Sequence, residues 1–359
     1  MPLHHKRRYN RIPTRMIKKR NASPLFFIKT NPSKICIVLF SIICQSVLNY
    51  SGEKRKETII MDYVDLHTHS NASDGTCSPA EVVIRAADKG LRAIALTDHD
   101  TVSGIDEAIQ AARDHALPLQ VIPGTELSVA YKKQDIHIVG LFIDHHNKAF
   151  QDMTDLLIRR RLERNEEMIR RFNANGIPVT YEELTQGNPD AVITRAHFAR
   201  YLVDHQIVKI PNEAFHKYLD PGCPYFIPRE YIRPEDGIRI IRDAGGVPIL
   251  AHPLHYKLPE KELEALIARL KESGLMGIEV KYSNHTKQDE YYAGQLAAKF
   301  HLLPSGGSDF HGANKPAIDI GTGRGTLAVP YEYLEKLAAA VHEYGCKIMP
   351  QLFHPAYMA

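Results

Sequence analysis

Beyond residue 60 the chain alternates between two hydrophobic patterns. Short apolar runs rich in Val, Ile and Leu recur at Tyr63–Leu66, Arg92–Thr97, Leu119–Ile122, Ile136–Ile143, Val247–Ala251, Gly277–Lys281 and Leu302–Ser305. Their length, and the helical patterns between them, predict buried strands in β/α units. The helices have legible ends. Ser78-Pro79-x-Glu81 supplies an N-cap, a proline at the first helical position and a capping-box acid, and Gly90 closes that helix. Ser103 is expected to open a second helix running towards Ala116, and Pro259 to Ser273, ended by Gly274, makes a third.

From about Phe150 to Gly245 the rhythm breaks. Helical periodicity and charge dominate, with Met153–Ala174 as one long amphipathic helix and Arg195–His205 as another. This stretch predicts a helical insertion, residues 150–245, capping the substrate site of an α/β, seven-stranded, barrel-like body built from residues 61–149 and 246–359.

Composition fits a globular chain. Of 359 residues 44% are hydrophobic, which excludes a collagen-like, disordered or disulfide-scaffold protein. Charge divides the chain sharply. Residues 1–60 carry 13 Lys and Arg against 2 acids, a formal +11, while the remainder carries 32 against 40, a formal −8. Seventeen of the 19 histidines also lie beyond residue 60. An acidic, histidine-rich body suggests metal before nucleic acid.

In the basic leader, Ile35–Tyr50 is an apolar block of 16 residues interrupted by Ser, Gln and Asn. That is shorter than the roughly 20 residues that span a bilayer. No small-residue cleavage pattern follows it, so neither a spanning helix nor a signal peptide is expected. Met61, two residues before the first strand pattern, is the expected functional start, with a membrane tether through residues 35–50 as the disfavoured alternative. Cys36, Cys44, Cys77, Cys223 and Cys346 are scattered without C-x-x-C spacing, as free thiols in a reducing cytoplasm would be.

The chemistry follows the strands. The first runs into D-L-H-T-H-S-N-A-S-D-G-T, with His67, His69 and Asp74, and the second ends in T-D-H-D with His99. The third ends in P-G-T-E with Glu126, the fourth carries His137, and the fifth ends in A-H-P with His252. The seventh ends in G-G-S-D-F-H-G with Asp309 and His311. Loops at the C-terminal ends of barrel strands build the active site, so these positions are expected to converge. An H-x-H on an extended strand places both imidazoles on one face. Gathering so many ionisable groups in one mouth without metal would be very costly. Six imidazoles and three carboxylates without thiolate suit Mn, with Fe or Zn as the other choices, and are enough for two or three divalent ions. Asp98 and Asp100 flank His99 as candidates to orient it.

The set DLHTHSNASDGT, TDHD, GTE, IHIVG, AHP and GSDFHG resembles the motifs of the PHP (polymerase and histidinol phosphatase) family. Within that family it resembles the TrpH-like branch of 3',5'-nucleoside bisphosphate phosphatases and 5'-3' exoribonucleases. The likeness spans about residues 62 to 330 and leaves the leader without a counterpart. It implies a distorted (β/α)7 barrel and a trinuclear site. His67, His69, Glu126 and Asp309 would hold one ion, Asp74, His99 and His311 a second, and Glu126, His137 and His252 a third. It further implies a bridging hydroxide attacking phosphorus, with Asp309 and His99 as the catalytic metal ligands.

An acidic body holds an anion only where bound ions invert the local sign, and arginine forks add anchoring. Arg161 and Arg164 share a helix face, and Arg195 opens a helix whose N-terminus favours anions. A 5'-phosphate on these arginines and a 3' phosphoryl group on the metals would serve both activities of the branch. The expected substrates are nucleotides or short single-stranded RNA, with no stable protein partner. A phosphatase of another small metabolite, such as histidinol phosphate, and a non-catalytic partner-binding module remain the alternatives.

Overall fold

Eight strands pair in the order β7-β6-β5-β4-β3-β2-β1-β8. They are β1 (Tyr63–Thr68), β2 (Ala93–Leu96), β3 (Gln120–Tyr131), β4 (Gln134–Leu141), β5 (Val247–Leu250), β6 (Gly277–Tyr282), β7 (Leu303–Gly307) and β8 (Val329–Pro330). This is a computed structural model, and it describes residues 62–343 except 133, 186–187 and 229–231. The leader, the apolar block 35–50, Met61, Cys36, Cys44 and Cys346 lie outside the described residues. Among the described residues no helix is long and apolar enough to cross a membrane, and Cys77 and Cys223 are free thiols.

The α/β barrel expected from the sequence is present, and its main distortion lies at β4. Strands β1, β2 and β3 are parallel, as are β5, β6 and β7, but β4 runs antiparallel to both β3 and β5. Strand β3 therefore does not end at Glu126; it continues to Tyr131 and turns directly into β4, with no helix between them. The two-residue β8, absent from the sequence reading, pairs antiparallel with β1. Opposite β2, β1 also meets β7's exit: Asp309 N–H donates to the His67 carbonyl (2.8 Å) and His69 N–H to the Phe310 carbonyl (2.9 Å). This approach requires glycine at 307, where a Cβ would lie 2.4 Å from the His67 backbone nitrogen.

Helix α1 (Pro79–Asp88) has the predicted capping box between Ser78 and Glu81. Helix α2 (Ile105–Asp114) begins later than expected. Its N-cap is Gly104 without a side-chain cap, because Ser103 pairs with Thr101 instead. Helix α3 (Lys148–Ala174) is the long amphipathic helix, and it serves two cores. Phe150 and Leu157 join the cluster beneath β3, β4 and β5, while Met168 and Phe172 join a separate cluster with Phe198, Leu202 and Tyr225.

After α4 (Tyr181–Thr185), helix α5 (Arg195–Asp204) packs within that second cluster, followed by the short α6 (Pro211–Ala214). Helix α7 (Pro234–Asp243) falls inside the 150–245 stretch, yet it buries Ile238 and Ile241 in the barrel cluster. The long helices α8 (Glu260–Glu272), α9 (Lys287–Lys299) and α10 (Tyr331–Glu343) complete the body, α10 burying Leu334 and Leu337 against residues of β1 to β5.

Candidate metal centre

The motif residues meet at one end of the barrel because the backbone leaves them few alternatives. Residues past β2 continue alongside β3: Asp100 N–H donates to the Glu126 carbonyl and Glu126 N–H to the Asp98 carbonyl, so His99 lies beside Glu126. On the β3–β4 hairpin Ser128 faces His137, and Glu126 sits two residues away on the same side. Ala251 N–H donates to the His137 carbonyl, which brings His252 to the same place. The β1–β7 contact lays Asp309 and His311 over His67 and His69.

All nine sequence-derived positions are gathered, and the central group is Glu126. Its Oε1 lies 2.8 Å from His137 Nδ1 and 2.9 Å from His252 Nε2. Its Oε2 lies 3.1 Å from His99 Nδ1 and 3.3 Å from Nε2 of both His67 and His69. Asp309 Oδ1 is 3.4 Å from His69 Nε2 and 3.3 Å from His311 Nδ1. Asp74 stands 3.1 Å from His311 and 3.7 Å from His99. Three sets have donor atoms close enough for one ion: His67, His69 and Asp309; His69, Asp74, His99 and His311; and His99, Glu126 and His137. His69 and His99 each stand in two of these sets, a sharing the linear motifs did not express.

Several donor atoms of the cluster are left without a hydrogen bond of their own. His99 Nδ1 and Asp74 Oδ1 each lie 3.1 Å from an ionic partner, yet neither forms a hydrogen bond, and both are buried. His69 Nδ1 and His252 Nδ1 are likewise buried without a hydrogen-bond partner. Orphaned buried groups of this density need an explanation, and metal coordination supplies one. Backbone strain gathers at the same place, with His252 at φ 27° and Asp309 at φ 56°, both in the left-handed region.

Proton affinities point the same way. Burial would drive the His67 imidazole down, but the carboxylates of Glu279 and Glu126 override it and hold the ring well above its ordinary value. His69 is raised to about 9, against the pull of burial, by Asp309 and Glu126. Burial raises Asp74, Glu126 and Asp309, yet the surrounding imidazoles, with Lys315 beside Asp309, hold each well below the carboxylate range. His99 moves the other way, to about 3, chiefly through burial. The cluster demands positive charge, which protons or metal ions would supply in competition.

Some supporting residues were not visible in the motifs. Glu279, buried in β6, accepts from His67 Nδ1 (2.8 Å) and from the His252 backbone N–H (2.6 Å), fixing a ring and a strained loop together. Its signal was a lone carboxylate inside the apolar run Gly277–Lys281. Tyr282 and Lys315 both donate to Asp309 Oδ2, at 2.8 and 2.7 Å. Glu279→Gln keeps the shape and removes the charge, and outer carboxylates of this kind are typically worth 10- to 100-fold in metal affinity. A drop of about that size is expected on metal titration followed by elemental analysis, with the fold unchanged by circular dichroism.

One expectation is corrected. Asp98 and Asp100 do not hold the His99 ring. Asp98 accepts from Ser70 N–H, Ser70 Oγ and Ser73 Oγ, tying down the loop after β1. Asp100 accepts from Ser128 N–H and from Arg161 Nε, at 2.7 Å each. Arg161 is thus engaged by a buried carboxylate and by Ser128 Oγ (2.9 Å), bracing α3 against the site.

Arg195, half-buried, pairs with Asp135 (3.1 Å) and the Leu219 carbonyl. Arg164 is buried, with Nε donating to Asn165, which in turn donates to the Ile193 carbonyl. The next residue, Thr194, caps α5 and donates its hydroxyl to Asp74 Oδ2 at 2.8 Å. Helix α5 thus touches the candidate metal centre directly.

Similarity to known proteins agrees with this geometry. The PHP domain model matches residues 65–220. A 3',5'-nucleoside bisphosphate phosphatase of Chromobacterium violaceum is 37% identical over 263 residues, 73% of this chain and 91% of that protein. A 5'-3' exoribonuclease of Haemophilus influenzae is 40% identical over 252 residues, 69% of this chain and 89% of that one. Among solved structures, an amidohydrolase from Chromobacterium violaceum, determined with bound sulfate and no metal, superposes with a TM-score of 0.67 at 37% identity, over 72% of this chain and 90% of that one.

Proposed function

Because this protein belongs to the PHP family, we propose that it hydrolyses the 3' phosphoester of 5'-phosphorylated nucleotides, as a 3',5'-nucleoside bisphosphate phosphatase, a 5'-3' exoribonuclease on short RNA, or both. It is a metal-dependent phosphoesterase, and so a hydrolase. The observation that carries the substrate reading is the Thr194–Asp74 hydrogen bond, which sets the N-terminus of a cap helix against the ion-binding cluster.

The donor set of imidazole and carboxylate favours Mn, then Fe or Zn, as two or three ions. His67, His69, Glu126 and Asp309 would hold one, Asp74, His99 and His311 the second, and Glu126, His137 and His252 the third. When bound, such ions acidify water and neutralise charge developing on the phosphoryl group, and Asp309 and His99 are the ligands closest to that role.

The chain's own residues would then orient the substrate. Thr194 holds Asp74 in place through its hydroxyl while its own N–H donates to His197 Nδ1 at 3.0 Å. Burial pushes His197 down to about 4, so the ring stays neutral and, with Nδ1 accepting, carries its proton on Nε2. Arg164 and Arg195 flank the start of α5, where the positive end of the helix dipole also favours an anion. A 5'-phosphate anchored here leaves the 3' phosphoryl group at the ions. Residues 150–245 would thereby act as the substrate cap.

The test is turnover of a 3',5'-bisphosphate, a 5'-phosphorylated dinucleotide and histidinol phosphate by the metal-loaded enzyme. Preference for the first two is expected. Equal turnover of phosphates lacking a nucleoside would sink the nucleotide reading, and metal-loaded protein inert on every phosphoester would establish a binding module. Arg164→Ala and Arg195→Ala are each expected to raise KM for 5'-phosphorylated substrates by about 10- to 100-fold, the value of a charge-assisted hydrogen bond, with metal content unchanged. A position that leaves KM unaltered is not a phosphate ligand.

A further inference from the structure

Away from the barrel mouth, Asp106, His145 and His146 meet at the surface. Asp106 stands in the first turn of α2, and the two histidines lie in the loop between β4 and α3. His145 Nε2 is 2.9 Å and His146 Nε2 3.6 Å from the same oxygen, Asp106 Oδ1, and the two rings lie 4.1 Å apart. All three donor atoms fall within 4.8 Å of one another. Metal–ligand bonds of about 2.0–2.1 Å place neighbouring donors about 2.9 Å apart in an octahedron and about 3.4 Å apart in a tetrahedron. The observed separations bracket those edges.

The loop that presents the histidines is already fixed. Asp144 accepts from His146 N–H (3.1 Å), Gln151 donates to the His145 carbonyl (3.0 Å), and Asn147 caps α3 by accepting from Phe150 N–H. Binding a cation there would order side chains on a backbone that needs no rearrangement, which keeps the entropic cost low.

We infer that Asp106, His145 and His146 form a second, surface site for a borderline divalent cation of the zinc class. Two imidazoles and one carboxylate select such an ion over Mg or Ca, and three protein ligands leave positions open to water. The site shares no residue with the buried cluster. It joins the first turn of α2 to the start of α3, the helix whose Arg161 pairs with Asp100 beside His99. An ion here clamps the root of α3 to the barrel without touching the reacting groups.

The test compares the full-length protein with the H145A–H146A double variant. Each is loaded with Mn, then dialysed against micromolar Zn, and its zinc is counted by elemental analysis. The wild type is expected to hold one more equivalent of zinc than the variant, and its melting midpoint to rise by a few degrees on zinc addition where the variant's does not. Turnover with Mn is expected to stay within about twofold in the variant, since a surface change away from the reacting groups has a small effect. Asp106→Asn, which removes one ligand and alters neither histidine, is expected to weaken zinc binding as well. Equal zinc uptake and equal thermal response in wild type and both variants would overturn the inference. Because the comparison is a difference between proteins with the same buried cluster, it stands apart from the phosphoesterase reading.

Discussion

Asp309→Ala is expected to abolish turnover, by about 10³-fold or more, and to lower metal content. Asp309 is buried at a strained φ of 56° between His69 and His311, and Tyr282 and Lys315 fix its second oxygen. Removing the carboxylate takes the one acidic donor of the His67, His69 and Asp309 set and leaves the Lys315 ammonium facing imidazoles, which repels a cation instead of attracting one. Asp309→Asn keeps the volume but not the charge and is expected to fail nearly as badly. Elemental analysis and a phosphate-release assay on the same preparation check both. Full activity in Asp309→Ala would contradict the proposed ligand set.

The second large effect falls on stability. Arg161→Ala is expected to cost about 3–5 kcal/mol, because it leaves the fully buried Asp100 carboxylate without its guanidinium. Ser128 Oγ loses the same partner. Chemical denaturation should show the loss, together with a drop in melting midpoint on the order of ten degrees. Arg161→Lys is expected to restore only part of it, since one ammonium cannot reproduce a fork that reaches Asp100 and Ser128 together. If Arg161→Ala left stability intact and raised KM for 5'-phosphorylated substrates, Arg161 would be the phosphate ligand its helix position first suggested.

These outcomes separate what sequence pattern conveys from what it does not. The capping box at Ser78 and Glu81 was readable because its hydrogen bonds close within three residues. Ser103 carried a similar signal and failed, because Thr101, two residues away, took its backbone N–H and hydroxyl instead. Strand β4 looked like any other apolar run. Its direction depends on the tight turn that joins it to β3, and an apolar run reads the same in either direction.

The nine clustered residues were legible because each stands beside a strand, and a barrel brings strand ends together. Which atoms share an ion was not, since His69 and His99 each face two sets only after β1 approaches β7 and the segment after β2 extends along β3. Arg161 and Arg164 share a helix face, as spacing required. Yet one meets a buried aspartate and the other an asparagine beside the cap turn, a difference set by loops distant in sequence.

The sequence by itself therefore determined seven of the eight strands, five of the helices, the ligand chemistry and the class of reaction. These rest on local periodicity and on side-chain type, and both are written residue by residue. Only the tertiary structure decided the reversed β4, the support that Glu279 gives His67 and His252, the engagement of Arg161 and the contact of Thr194 with Asp74. Each of these is a pairing between groups far apart in the chain, fixed by which backbone segments the barrel packs side by side.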